Sequence, residues 1–317
     1  MANALLPKSS YPFARWKVYI LSLRRTADII RTVYRKIMEN LKDILLRHGF
    51  SFKKQFGQNF ISDVNLLKSI VALAGVDKDT TVLEIGCGAG TLTRELAAAA
   101  KRVVSYEIDK KLQPVLAETL AGVDNAEVVF RDFMRENLPA LEEELGEYTV
   151  VANLPYYITS PLVMRFVEEA ERVRSLFIMV QDDVARRFCA QAGTADYGAI
   201  TAAIARRASA QIVKYVPRRM FQPVPNVDSA VVKLDFEKDR IPVPDAKCYR
   251  DTVRAAFLSR RKTLENNLVN AFSLPRERAQ ALLAEAGIPE KARGETLTPQ
   301  QLAALSALLY REKTANA

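Results

Sequence analysis

From about residue 63 onward, short apolar runs alternate along the chain with longer stretches in which apolar residues recur at helical spacing. The helical spacing predicts helices at 66–74, 91–100 and 110–121. The apolar runs predict strands at 80–85, 103–108, 127–130, 148–152 and 175–180. Short buried strands separated by helices are typical of a parallel sheet with helices on both faces, so an α/β, doubly wound fold is expected.

The pattern changes after residue 211. Two further strands are predicted at 212–216 and 230–236, and a proline-rich turn separates them instead of a helix, so they are expected to form an antiparallel pair at one end of the sheet. A charged, proline-containing linker follows at 237–245. Beyond it only helical spacing occurs, with helices predicted at 249–258, 262–271, 275–286 and 299–310. Gly287 and Pro289 mark a helix end. We therefore predict a sheet domain over 38–238 and an all-helical C-terminal domain over 239–317, the latter binding RNA.

Residues 1–37 differ from the rest of the chain. They carry eight basic residues and one acid, a net charge of +7, which leaves 38 basic and 36 acidic residues, or +2, for the remainder. The overall charge of +9 therefore says little about the partners of the body of the protein. This basic extension fits an organelle transit peptide or a start codon assigned too early, and we favour translation from Met38. The spacing of Ile30, Tyr34 and Ile37 also allows a helix that runs through Met38.

Composition excludes several classes of protein. Hydrophobic residues make up 49% and charged residues 26% of the chain, as in ordinary globular domains. No apolar run reaches the roughly 20 residues of a membrane span. The three cysteines contain no CxxC pair, which favours a reducing, cytoplasmic location. With His48 as the one histidine, neither a metal centre nor a histidine-based catalytic triad is expected.

A glycine-rich turn follows the first predicted strand, with glycines at 86, 88 and 90. Glycine lets the backbone turn sharply and approach a ligand closely. The GxGxG spacing is neither the GxGxxG of dinucleotide sites nor the GxxxxGK[ST] of phosphate-binding loops. Glu84 stands just before these glycines and brings a negative charge to the site. A cationic ligand, such as a sulfonium with an amino-acid tail, fits this arrangement better than a pyrophosphate.

Two more carboxylates follow the next strands. Glu107 comes about 20 residues after the glycines, where a carboxylate can accept hydrogen bonds from both hydroxyls of a ribose. Asp132 follows the third strand and can accept a hydrogen bond from an adenine amino group. Each acid taken alone could equally be a helix N-cap or a solvated turn. Together with Glu84 they lie at the C-terminal ends of adjacent strands, where open α/β sheets bind ligands.

The fourth strand leads into a candidate catalytic motif, Asn153-Leu154-Pro155-Tyr156. An aryl amine is a poor nucleophile because its lone pair is delocalised into the ring. The side-chain oxygen of Asn153 and a carbonyl from Leu154 or Pro155 could accept the two N6 hydrogens of adenine and direct the lone pair toward a methyl donor. Tyr156 could stack on an extruded base. The other interpretation is a strand-ending turn with a buried tyrosine.

At this point the sequence resembles the ribosomal RNA adenine dimethyltransferases of the KsgA/RsmA type, over about residues 45 to 317. The resemblance rests on five blocks: Phe56-Gly57-Gln58-Asn59-Phe60-Ile61, Glu84-Ile85-Gly86-Cys87-Gly88-Ala89-Gly90, Asn153-Leu154-Pro155-Tyr156, Phe221-Gln222-Pro223-Val224-Pro225-Asn226-Val227-Asp228-Ser229-Ala230 and Ala256-Phe257-Leu258-Ser259-Arg260-Arg261-Lys262-Thr263-Leu264. It implies a Rossmann-like, class I methyltransferase fold with a seven-stranded sheet and a reversed last strand. It also implies S-adenosylmethionine as the cofactor.

The resemblance assigns roles to residues. Asn59 and Ile61, with Gln58 nearby, would close over the methionine part of the cofactor. The rest of the cofactor pocket would come from Glu84, Gly86, Gly88, Gly90, Glu107, Asp132 and Asn153. Phe221 would hold the target adenine against Tyr156. The family dimethylates N6 of two adjacent adenosines in the 3′-terminal hairpin loop of small-subunit rRNA, so the implied partner is an immature small ribosomal subunit, and we expect a monomer.

Clusters of basic residues suggest where RNA would bind. Arg218 and Arg219 immediately precede Phe221. By spacing, Arg250, Arg254 and Arg261 are expected to share one helix face that could follow phosphates. An ordinary solvated helix surface is the alternative for each cluster taken singly.

Two competing functions remain open on the sequence. Large-subunit rRNA methyltransferases that confer macrolide resistance share the cofactor motif and the Asn153 motif, although the complete helical region after residue 238 favours the small-subunit type. A non-catalytic assembly factor on the same fold is the other alternative. The intact Gly86, Glu107, Asn153 and Tyr156 argue against lost chemistry.

Overall fold

The computed structural model describes residues 41–50, 59–61, 63–238 and 240–315. The predictions about residues 1–37 and about Gln58 therefore lie outside the described residues. The chain divides into two units, the first of which ends at Ser51. The described part of that first unit contains helix α1, Leu41–Arg47. All other elements belong to the second unit.

Nine strands form two sheets in the described part of the second unit. They are β1 Phe60–Ile61, β2 Thr81–Ile85, β3 Arg102–Tyr106, β4 Ala126–Val129, β5 Tyr148–Asn153, β6 Val173–Gln181, β7 Ala208–Val216, β8 Phe221–Gln222 and β9 Ser229–Phe236. The main sheet has seven strands in the order β4-β3-β2-β5-β6-β9-β7. Strands β4, β3, β2, β5 and β6 are parallel, and β9 runs antiparallel to both of its neighbours. The small sheet pairs β1 with β8.

Eleven helices accompany these strands in the described part of the second unit. They are α2 Val64–Leu73, α3 Thr91–Ala99, α4 Gln113–Thr119, α5 Leu138–Leu145, α6 Thr159–Glu169, α7 Asp182–Phe188, α8 Ala199–Arg207, α9 Ala246–Ala256, α10 Leu264–Phe272, α11 Arg276–Glu285 and α12 Pro299–Ala315. Side chains cap the N-termini of several helices. Asp63, for example, accepts a hydrogen bond from the backbone N–H of Leu66 at 2.8 Å. None of the helices in the described residues is long and apolar enough to cross a membrane.

The central strands of the main sheet are buried on both faces, which explains why they are apolar runs. In β2 and β5, Leu83 and Val150 have no exposed surface, and the core around them is completed by aliphatic residues and by Phe166 of α6. A parallel sheet needs helices on both faces because neither face can meet water. The expected doubly wound α/β fold with an antiparallel strand pair at one end is confirmed.

The helices after residue 245 build a second apolar core, and this core includes residues from the sheet side. Tyr197 and Ala202, just before and within α8, belong to it. The hydroxyl of Tyr249 in α9 donates a hydrogen bond to the carbonyl of Ala202 at 2.9 Å. The sheet and the C-terminal helices accordingly fall in one compact unit, and the domain boundary at residue 238 stays a prediction.

One prediction about these helices is wrong. Helix α9 ends at Ala256, and α10 begins at Leu264 after Thr263 caps it. Arg261 therefore lies in the connecting turn and does not share a helix face with Arg250 and Arg254. The predicted helix at 249–258 extended past Ala256 because Leu258 falls at a helical interval from the apolar residues before it. The side chain of Leu258 is nevertheless 62% exposed.

Candidate active site

A cavity of about 280 Å³ lies at the C-terminal ends of β2, β3 and β5, near the lower end of the roughly 300–1,000 Å³ of small-molecule sites. Most of the residues proposed from the sequence line it. These are Asn59, Ile61, Glu84, Gly86, Gly88, Glu107, Asp132, Asn153, Leu154, Pro155 and Tyr156. The glycine-rich turn and the candidate catalytic motif therefore face the same space.

Among the described residues proposed for cofactor binding or catalysis, two do not line this cavity. Gly90 has a left-handed backbone, and a Cβ placed there would lie 2.9 Å from Leu116 in α4, so glycine is required for helix packing. Phe221 is only 3% exposed, and its backbone pairs with Ile61 in the small sheet. A stacking role for Phe221 against a base stays a prediction.

The glycine-rich turn is in contact with the segment that carries β1. Gly88 has φ +55°, and a Cβ built on it would lie 2.6 Å from the ring of Phe60. The Thr91 hydroxyl donates a hydrogen bond to the carbonyl of Ile61 at 3.2 Å. The missing side chain at Gly88 thus lets an aromatic ring cover the turn.

The acid after β3 is held in place by backbone N–H groups. The Oε2 atom of Glu107 accepts from the N–H of Gly88 at 2.9 Å, and Oε1 accepts from the N–H of Asp109 at 2.8 Å. Burial raises the pKa of Glu107, while these hydrogen bonds act to lower it. Glu107 therefore links the end of β3 to the glycine-rich turn of β2.

Asp132 has two structural roles in addition to its place in the cavity lining. Its Oδ1 accepts from the backbone N–H of Met134 at 3.0 Å and so caps a short 3₁₀ helix. Its Oδ2 lies 3.5 Å from the guanidinium of Arg135. The N-cap interpretation considered for the strand-end acids is correct for Asp132, and a ligand there would share the carboxylate with this cap.

The candidate catalytic motif is fixed by a hydrogen bond from its first residue. The Nδ2 atom of Asn153 donates to the carbonyl of Asn59 at 2.9 Å. This contact determines which way the amide is turned and keeps Oδ1 as the acceptor end. The hydroxyl of Tyr156 lies 3.3 Å from that of Ser229, so the ring at the end of the motif is anchored to β9.

Sequence reasoning missed several apolar members of the lining. Ile108 follows Glu107 directly and is 49% exposed, and Tyr157 follows Tyr156 and is 58% exposed. Apolar residues exposed at strand ends beside a carboxylate are candidates for contact with a flat ligand ring. Their position in the sequence, directly after Glu107 and Tyr156, was the signal that could have identified them. Phe60 is another missed member of the lining.

The small sheet joins two distant parts of the site. Phe60 pairs with Gln222 and Ile61 with Phe221, in antiparallel register. The segment that reaches the glycine-rich turn and Asn153 is thus backbone-paired to the start of the proline-rich loop at 221–228.

The basic residues proposed to contact RNA differ in their contacts. Four of them are exposed, namely Arg218, Arg219, Arg254 and Arg261. Arg218 donates through Nη1 to the carbonyl of Asn226 at 3.0 Å and so braces the loop at 221–228. Arg250 forms an ion pair with Glu168 of α6 at 3.0 Å and is only partly exposed.

Electrostatically the cavity is acidic. Three carboxylates line it, whereas Arg131, its one lysine or arginine among the described lining residues, is paired with Glu136 at 3.2 Å. Such a site suits a ligand with positive charge and hydroxyl donors and offers no lysine cradle for phosphates. Within the described ranges, no group of three or more histidine, cysteine or acidic residues could hold a metal ion.

Comparisons with known proteins agree with this chemistry. A family model described as "Ribosomal RNA adenine dimethylase" matches residues 49–310. The chain is 45% identical over 275 residues to a ribosomal RNA small subunit methyltransferase A from Geobacillus thermodenitrificans, covering 84% of this chain and 93% of that protein. It is 43% identical over 280 residues to the protein of the same name from Bacillus cytotoxicus, covering 86% and 96%.

Two solved structures resemble the chain over most of its length. The 23S rRNA methyltransferase ErmE matches with a TM-score of 0.62 and 33% identity, covering 80% of this chain and all of that one. A dimethyladenosine transferase from Plasmodium falciparum matches with a TM-score of 0.69 and 24% identity, covering 81% and 98%. The second likeness shows the shared fold.

Proposed function

This chain belongs to the ribosomal RNA adenine dimethylase family, and we propose that it dimethylates N6 of two adjacent adenosines in small-subunit rRNA with S-adenosylmethionine as the methyl donor. The adenosines would be those of the 3′-terminal hairpin loop, as the family resemblance implies. The reaction would belong to the assembly of the small ribosomal subunit, in the cytoplasm.

One observation supports this proposal above the others. The glycine-rich turn of β2 and the motif that begins at Asn153 line one cavity, together with carboxylates from the ends of neighbouring strands. The part of the cavity suited to a nucleoside is therefore next to the amide of Asn153, which can orient an aryl amine. Because methyl transfer is an in-line displacement, placing donor and acceptor side by side supplies much of the catalysis.

The lining residues fit S-adenosylmethionine. Glu107 and Asp132 supply acceptors for ribose hydroxyls and an adenine amino group, and Glu84 supplies negative charge for the cationic end. Gly86 and Gly88 leave backbone without side chains against the ligand, and Ile108 supplies an apolar surface for the adenine ring. The bound cofactor would supply an electrophilic methyl group.

The acceptor adenine would be held by the motif at the end of β5. With Nδ2 of Asn153 bound to the carbonyl of Asn59, the Oδ1 atom can accept one N6 hydrogen. The carbonyl of Leu154 or Pro155 would accept the other. Hydrogen bonds from N6 to these two acceptors localise the nitrogen lone pair for attack on the methyl group. As the N–C bond forms, the bond from sulfur to the methyl group would break, a neutral thioether would leave and the methylated nitrogen would release one proton to solvent. Tyr156, and Phe221 once it turns toward the base, would stack on the adenine.

Recognition of RNA outside the cavity would rest on exposed basic residues. Arg219 precedes Phe221, and Arg254 and Arg261 lie in the helical region after residue 238. These side chains can contact phosphates, and such contacts position RNA without reading its sequence. We propose that the helical region, from residue 239 onward, carries part of the RNA interface.

The test is methyl transfer from labelled S-adenosylmethionine to small ribosomal subunits that lack adenine dimethylation, with large-subunit RNA in parallel. We expect label as dimethyladenosine in the 3′ hairpin of the small-subunit RNA. Label in large-subunit RNA would instead support the activity named for ErmE, to which the chain is 33% identical. Cofactor binding without transfer to either RNA would support the non-catalytic assembly factor.

A further inference from the structure

The buried hydroxyl groups of Thr93 and Ser105 both donate hydrogen bonds to the carboxylate of Glu84 in the cavity. We propose that Thr93 and Ser105 are positioning residues, which orient Glu84 toward the positively charged methionine end of the cofactor and favour its negatively charged form. This inference rests on the proposed use of S-adenosylmethionine.

The geometry around Glu84 is closed on one side. The Thr93 Oγ1 atom donates to Oε2 of Glu84 at 2.6 Å, and the Ser105 Oγ atom donates to the same oxygen at 2.5 Å. Glu84 is 1% exposed, and both hydroxyl residues are fully buried. Since the hydroxyls come from α3 and β3, two separate elements fix the rotation of this carboxylate.

The other carboxylate oxygen is left for the cavity. Both hydrogen bonds end on Oε2, and no hydrogen bond from the described residues reaches Oε1. Glu84 nevertheless belongs to the cavity lining. A buried carboxylate with unused acceptor capacity is stabilised by a hydrogen-bond donor, which the ammonium group of the ligand can supply, while the sulfonium group contributes positive charge only.

The charged residue named as acting on Glu84 is Glu107, whose negative charge opposes the ionisation of Glu84. Burial raises the pKa of the neighbouring Cys87 thiol well above its usual range. Burial is the largest influence on Glu84 and raises its pKa, the hydrogen bonds from Ser105 and Thr93 lower it, and the resulting pKa is about 7. The two hydroxyls are therefore the groups that bring Glu84 into the range where it ionises near neutral pH.

Removing a hydroxyl has a consequence that depends on pH. Without one donor, the pKa of Glu84 is expected to rise by about one to two units, because hydrogen bonds to charged groups are strong. At a pH below the pKa of Glu84 in both the wild type and the variant, the cofactor must displace a proton from Glu84, and the variant holds that proton more tightly. Above both values, the carboxylate is ionised in either protein and the affinities converge.

The experiment measures the dissociation constant of S-adenosylmethionine by calorimetry from pH 6 to 8.5, for the wild type, Ser105→Ala and Thr93→Val. For a shift of one unit, we expect the variants to bind about tenfold more weakly at pH 6 and nearly as tightly as the wild type at pH 8.5. Because only the variant-to-wild-type ratio is interpreted, titration of the ligand's own amino group cancels.

Three controls isolate the role of the hydroxyls. Thr149→Val removes a buried hydroxyl that lies 3.5 Å from that of Ser175, away from the cavity, and is expected to leave the ratio at one throughout. The neutral ligand 5′-methylthioadenosine lacks both positive charges, so its ratio is expected to stay near one. Thr93→Ser keeps the donor and is expected to restore the wild-type dependence.

A ratio that stays constant with pH would overturn the inference, because it would show a merely structural loss of affinity. A ratio near one at every pH would overturn it as well. Should Thr93→Val fail to fold, Ser105→Ala carries the same test, since either donor alone predicts the same direction of shift. The proposed function fails separately, by absence of S-adenosylmethionine binding to the wild type at any pH.

Discussion

Asn153→Ala tests the assignment of the acceptor site, because Asn153 has two separable contacts. Its Oδ1 atom is proposed to accept a hydrogen from N6 of adenine. Its Nδ2 atom donates to the carbonyl of Asn59 at 2.9 Å and so ties down the segment that covers the glycine-rich turn. The substitution removes both contacts, and each has its own measurable effect.

The two losses differ in size. Removing one preorganised polar contact to the reacting group typically lowers the rate of the chemical step by about 10²–10³-fold. The hydrogen bond to Asn59 is worth about 0.5–1.5 kcal/mol, so its loss is expected to weaken cofactor binding by about 2–13-fold. RNA affinity is expected to stay near the wild-type value, because the exposed arginines are unchanged.

The assay is single-turnover methyl transfer to unmethylated small subunits, with the cofactor and RNA dissociation constants measured separately. Asn153→Asp is the matched control, since it keeps an acceptor oxygen and lacks the donor to Asn59. We expect it to retain more of the rate than Asn153→Ala and to lose cofactor affinity. If Asn153→Ala lowered RNA affinity as much as the rate, Asn153 would be holding RNA and the assigned role would be wrong.

Three further predictions follow from the described contacts. Glu84→Gln is expected to stabilise the cofactor-free protein above pH 7 by at most about 3 kcal/mol, as measured by urea unfolding. The pKa of Glu84 in the folded state is about 7, above the ordinary value of 4.5, so the wild type loses stability as the pH rises between these two values. The uncharged glutamine avoids this loss. Gly294→Ala is expected to destabilise the protein by about 1–3 kcal/mol or more, because its Cβ would lie 2.0 Å from the carbonyl oxygen of Ala256. Arg254→Ala is expected to change the free energy of unfolding by no more than about 0.5 kcal/mol. It is also expected to reduce the slope of log RNA affinity against log salt concentration by about one. Arg250→Ala breaks the ion pair with Glu168 and is expected to lower stability more than RNA affinity.

The sheet and the glycine-rich turn could be predicted from sequence because their signals are local. Each central strand is a short apolar run, and the sheet buries both faces of each run. Predicted strand ends agree with the structure to within one or two residues for most of the parallel strands. Helices such as Leu138–Leu145 were not predicted, although Asn137 caps that helix and Pro139 lies in its first turn, both of which are start signals.

Pairings between distant segments could not be predicted in this way. The small sheet joins Ile61 to Phe221 through two residues on each strand, too few to give a periodic pattern. Phe221, at the end of this pairing, is buried. The resemblance identified the residue but carried no information on the conformation that the loop adopts without a base.

The three carboxylates of the site show which part of a functional prediction a sequence can contain. Their placement follows from strand ends, and all three line the cavity as expected. Their hydrogen-bond and charge partners differ: two hydroxyls for Glu84, two backbone N–H groups for Glu107, and the backbone N–H of a short helix with a nearby arginine for Asp132. An acidic residue before a glycine-rich turn therefore predicts where a negative charge can be. Whether the charge is present at a given pH depends first on burial, which raises the pKa of Glu84, and then on the hydrogen bonds from Ser105 and Thr93, which lower it and come from residues 21 and 9 positions away along the chain.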